Sequence, residues 1–153
     1  MDTNDLKELV KDIVAKADEM KQRLVREPTP VNYACIFCQS DDEYILFLKL
    51  AKQLGTVVQE TAAGPVFYIE ALPTVAGNVR LLKIRRPDFT RLERGDADFT
   101  LSNYTDFKKQ HLNQECFKII DKGNFEMIEY RPPKVNVVVY FSNPTLAEVL
   151  KIS

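Results

Sequence analysis

Val31-Asn-Tyr-Ala-Cys-Ile-Phe-Cys38, followed after Gln39 by Ser40-Asp-Asp-Glu43, decides how this chain is organised. The first stretch is mostly apolar, with β-branched and aromatic residues after Pro30, and reads as a buried strand. Ser40-Asp-Asp-Glu43 has the spacing of a capping box, in which the serine oxygen and the glutamate side chain satisfy the first free amides of a helix. That helix would bury Tyr44, Phe47, Leu48, Ala51 and Leu54, and Gly55 is expected to close it in the left-handed conformation.

Further along, residues 56–60, 65–72 and 78–84 read as extended, joined by Ala62-Ala-Gly64 and by residues 74–77. The first half is thus β-α-β-β-β. A polar connector over 85–95, containing Pro87, separates it from a second unit with the same order. That unit comprises a strand over 96–102, a short helix capped by Ser102 or Asn103 with Tyr104 and Phe107 buried, and strands over 117–120, 125–130 and 135–141. The turn Asp121-Lys-Gly-Asn124 joins the second and third of these strands. The two halves repeat a pattern of elements, not a sequence.

Upstream of Val31, the apolar residues Leu6, Val10, Ile13, Ala17, Met20 and Leu24 recur at spacings of four and three, which predicts a helix over 5–26 ended by Pro28 and Pro30. A seam this regular suits a helix laid across its own domain, and it suits a helix paired with a second copy in a homodimer. The organisation expected is therefore an amphipathic helix within 1–27 and a domain over 31–150.

The chain has 153 residues, with 21 basic and 22 acidic side chains, 45% hydrophobic and 28% charged. This is the composition of one globular domain. Near-zero net charge gives no bulk attraction to nucleic acid or to an anionic membrane. No stretch reaches the length of a membrane span, and the charged start (Asp2, Asp5, Lys7, Glu8) reads as neither a signal nor a transit peptide. One histidine, His111, cannot build a multi-histidine metal centre, and no glycine-rich phosphate loop is present. The three cysteines are not a disulfide framework, and a cytoplasmic location is expected. Cys35 and Cys38 lie three apart on a strand and so face opposite sides, which argues against joint metal or redox chemistry.

Two consecutive β-α-β-β-β units, over about 31–86 and 95–150, resemble the vicinal-oxygen-chelate (glyoxalase) superfamily. Short segments are most similar to its YecM-like branch: Asn32-Tyr-Ala-Cys-Ile-Phe-Cys38, Glu70-Ala-Leu-Pro73, Asp96-Ala-Asp-Phe99, and Phe141-Ser-Asn-Pro-Thr-Leu-Ala-Glu-Val-Leu150. The resemblance implies an α+β fold whose two modules form a glyoxalase-like curved sheet around a ligand cavity, with the helices outside. The superfamily's metal ligands would fall on Tyr33, Ala71, Asp96 and Tyr140. Only Asp96 among these is a plausible ligand, so the expectation is a cavity with neither metal nor other cofactor.

If alternate residues from Tyr33, Asp96 and Tyr140 face that cavity, Cys35, Phe67, Ile69, Asp98 and Val138 join them. The same residues could equally fill a closed core. Asp96 and Asp98 share a strand face, where a carboxyl pair shifts its pKa values. Glu126 and Glu129 face opposite sides and make no pair. The basic run Arg80, Lys83, Arg85, Arg86, Arg91 and Arg94 adds a candidate anion-binding group, of which Arg80 is taken into the site. His111 is expected to be exposed and non-catalytic. Three functions remain open: a metal-free small-ligand binding or interaction protein, whose ligand could be anionic; a metal-dependent lyase, isomerase or dioxygenase using the same cup; and a dimerising scaffold. Whether the chain is an enzyme is left open.

Overall fold

Asp2 starts the first helix by reciprocal capping: its carboxylate accepts from the Asp5 amide at 3.0 Å, and the Asp5 carboxylate accepts from the Asp2 amide at 2.9 Å. In the computed structural model, which describes residues 1–152, this helix α1 spans Thr3–Gln22. It ends before the expected residue 26 because the Arg23 and Leu24 amides bond to carbonyls three residues back, tightening the last turn. Leu6, Val10, Ile13, Val14 and Ala17 are each no more than 1% exposed. The apolar seam is thus consumed by the chain's own sheet, and α1 is a structural layer rather than a free arm.

The remaining elements are β1 (Val31–Phe37), α2 (Asp41–Leu54), β2 (Gly55–Thr61), β3 (Gly64–Thr74), β4 (Gly77–Arg85), β5 (Gly95–Phe99), α3 (Tyr104–His111), β6 (Phe117–Asp121), β7 (Glu126–Tyr130), β8 (Val137–Asn143) and α4 (Leu146–Val149). The doubled order read from the sequence is present, and Ser40 and Asn103 cap α2 and α3. The short α4, capped by Thr145, is additional. Gly55 is extended (φ −175°) rather than left-handed. A glycine is needed there because a Cβ would lie 1.9 Å from the Tyr68 carbonyl oxygen on β3.

All eight strands form one mixed, curved sheet in the order β2-β3-β4-β1-β5-β8-β7-β6. Within each half the first and last strands run parallel, β1 with β4 and β5 with β8, and an antiparallel β1–β5 pair joins the halves. The architecture is α+β. The helices α1, α2 and α3 cover one face and bury Phe47, Phe67, Phe99, Phe107 and Phe141 beneath them. A second apolar cluster, including Tyr33, Val66, Leu81, Met127, Val138, Tyr140 and Leu146, lies on the other face, which the long helices leave open. Among the described residues, no helix is long and apolar enough to cross a membrane.

Candidate functional site

Strand register decides which side chains meet on the open face. Gln59 pairs with Val66, Val66 with Lys83, Lys83 with Cys35, Cys35 with Asp96 and Asp96 with Val138, so one row crosses six strands. A neighbouring row runs Tyr33–Asp98–Tyr140–Glu129. Paired residues in adjacent strands project to the same side. Above these rows is a pocket of about 380 Å³. Its floor is Tyr33, Cys35, Asp96 and Tyr140; its apolar wall includes Val66, Ile120, Phe125, Met127 and Leu146; Lys83, Arg85 and Lys122 bring positive charge.

Of the residues expected to line a cavity, Tyr33, Cys35, Asp96 and Tyr140 do so. Val138 lies in the apolar cluster beneath, and Asp98 is on the same face but fully buried. Phe67 and Ile69 do not line it: they point into the helix-covered core, while Val66 faces the pocket. Arg80 is exposed away from the pocket, and Lys83 and Arg85 take the place expected of it. A register shift between Tyr68/Leu81 and Leu72/Val79 breaks the simple alternation around Arg80. Ala71 lies by Lys11 and Leu54, outside the pocket.

Asp96 is 5% exposed, and its Oδ1 has no hydrogen-bond partner among the described residues. Burial, then the neighbouring Asp98, push its carboxyl up to about 8, against the opposing pull of Lys83, Arg85 and Arg91. It is therefore mainly protonated at pH 7. Asp98 is raised to about 7 by burial, although the Ser142 hydroxyl (2.9 Å) and the Asn32 amide (3.1 Å) donate to its Oδ1. Burial also raises the Tyr33, Cys35 and Tyr140 groups, so the floor is neutral, with unreactive thiol and phenols.

Most of the basic run is structural. Arg85 pairs with Asp88 at 3.0 Å and lies over Phe37; Arg94 pairs with Glu43 at 2.6 Å; Arg86 lies over Tyr44. Arg91 reaches Glu129 at 2.9 Å, and the Tyr140 hydroxyl donates to the same carboxylate oxygen at 2.7 Å, which ties the connector to the edge of the site. Lys83 and Lys122 differ. Among the described residues neither has a carboxylate within ion-pair distance. Partial burial, then Lys83 and Arg85, lower the Lys122 ammonium.

Glu126 does face away from Glu129: it accepts from Tyr104 (2.7 Å) and Lys108 (3.0 Å) on α3. Cys35 on β1 and Cys38, just past its end, likewise lie on opposite sides of the sheet. His111 is half-buried rather than exposed, with its ring 4.3 Å from Phe107 and 5.2 Å from Phe117, away from the pocket. Among the described residues no three His, Cys, Asp or Glu side chains converge as a metal-ligand set.

No family model matches the chain, and no curated protein matches it. A solved structure described as structural-genomics protein EC4020 is similar in fold, with a TM-score of 0.70 over 95% of this chain and 91% of the other at 9% sequence identity. At that identity the similarity speaks to the fold alone.

Proposed function

We propose that the chain is a cytoplasmic small-ligand binding protein of glyoxalase-like, YecM-like architecture, with its ligand seated on the open face over Asp96. The observation that carries this reading is the carboxyl oxygen of Asp96 that has no partner among the described residues, on a residue 5% exposed at the floor of a 380 Å³ pocket. A buried polar atom without a partner is destabilising by about 1–3 kcal/mol unless a bound molecule or water satisfies it. The pocket's size and its mixture of apolar wall with few polar points are those of a metabolite site.

The strand order supports the two-module reading, since each half keeps β1 or β5 parallel to its last strand and the halves meet through β1 and β5. The donors present do not suit the divalent metal of the superfamily. Asp96 is held neutral, its neighbours at the floor are two phenols kept protonated, and three cationic side chains line the same space. We therefore assign no reaction step to a metal.

Protein-observed NMR during a screen of metabolite-sized compounds tests the reading. Binding should shift the amides of Tyr33, Cys35, Val66, Asp96 and Tyr140 together. Hits whose shifts fall elsewhere, or a screen with no hits, would overturn it.

A further inference from the structure

Among the described residues, Lys83 and Lys122 are the two cations of the pocket without carboxylate partners, and they come from different halves of the chain. Lys83 projects from β4, and Lys122 from the turn after β6. Arg85, two residues beyond Lys83 on the same face, adds a third cationic side chain, paired with Asp88 at 3.0 Å. Among the described residues the one carboxyl lining the pocket, Asp96, is buried and does not neutralise them. The cationic side chains meet an apolar wall formed by Val66, Ile120 and Phe125. Like charges gathered at a partly dry site attract an anion.

We propose that the pocket selects small organic acids: an apolar or aromatic body carrying one carboxylate or phosphate monoester, with the acidic group held by Lys83, Lys122 and Arg85 and an uncharged oxygen of the body meeting Asp96. This rests on the reading of the pocket as a ligand site and adds the class of ligand. Ammonium and guanidinium donors make the stronger, charge-assisted hydrogen bonds to such oxygens. The Asp96 hydroxyl, being neutral, donates to a carbonyl or ether oxygen without repelling the acid at the other end. The apolar wall takes the body.

The test uses matched pairs at pH 7 in low salt, with affinities from NMR titration of the full chain. The probes are phenylacetate and 3-phenylpropionate against phenylacetamide and 3-phenylpropionamide, and phenyl phosphate against phenol. The acids should bind at least about tenfold more tightly than their neutral partners. In a Lys83→Met, Lys122→Met double variant the acids should lose most of that advantage, keeping only what Arg85 supplies, and the neutral compounds should lose less affinity than the acids. The carboxylate and phosphate arms separate the two acid classes, and preference in either supports the proposal. Equal binding of acid and neutral partner would overturn the acid selectivity and leave the ligand site standing. Acid selectivity unchanged in the double variant would also overturn it, by placing the anion elsewhere. No binding by any of the six compounds would count against both readings. If the double variant fails to fold, the comparison on the unaltered chain still decides.

Discussion

Replacing Asp96 with asparagine tests whether burial holds the carboxyl at the pocket floor neutral. Its pKa in the folded chain is about 8, against roughly 3.9 for an unperturbed aspartate. Between about pH 4 and 8 the folded state keeps a proton that the unfolded state releases. The group therefore lowers stability progressively as pH rises through that window, and adds no further slope above it. A gap of about four units at ~1.4 kcal/mol each sets a ceiling of roughly 6 kcal/mol. Between pH 5 and pH 9 about three of those units are crossed, which sets the expected loss at about 4 kcal/mol. Asparagine keeps the shape of the side chain and removes the titration. Because the chain has no tryptophan, urea unfolding is followed by far-ultraviolet circular dichroism at pH 5 and pH 9. The unaltered protein should lose about 4 kcal/mol more than the variant between the two pH values. Asp98 is present in both proteins, so the difference of differences reports Asp96 together with its coupling to Asp98. Equal losses would refute the reasoning.

The other expected outcomes concern the frame around the site. Gly95→Ala places a Cβ 2.3 Å from the Cys35 carbonyl oxygen and 2.8 Å from Ile13 Cδ1, and calorimetry should show a loss of about 3 kcal/mol. Leu6→Ala opens a void where α1 meets the sheet and should lower stability by about 3 kcal/mol in urea titration. Arg91→Leu leaves Glu129, whose side chain is 6% exposed, without its cation. It should cost about 3 kcal/mol at pH 7, much of which an added Glu129→Gln restores, measured as a double-mutant cycle.

Much of the fold could be read from local chemistry. The capping residues of α2 and α3, the 4-3-4 seam of α1 and the turn at Asp121–Asn124 each carry a signal within a few residues of where they act. The Asp96–Asp98 face was legible because two residues is the strand repeat. Facing could not be read where a strand is apolar on both sides. In Val66-Phe-Tyr-Ile69 nothing alternates, so Phe67 and Ile69 were as plausible at the pocket as Val66, and they went to the helix-covered core instead. Arg80 enters the expectation through its charge alone; it is three residues from Lys83 and five from Arg85, odd spacings on one strand, and it stays exposed outside the pocket. Lys122 carried no signal at all. It sits in an ordinary polar turn and enters the site because β6 and β7 bring that turn across to Lys83.

The position of α1 has a consequence for how the molecule opens. The helix touches β1 and β3 in the first half and β5 and β8 in the second, so it splints the two halves across their shared seam. Neither half can come apart while the other keeps its cover. Breathing motions that expose one module alone should therefore be rare, and native-state hydrogen exchange should find the protected amides of β1, β4, β5 and β8 opening with a single free energy. Two separate exchange plateaus, one for each half, would mean that the splint does not couple them.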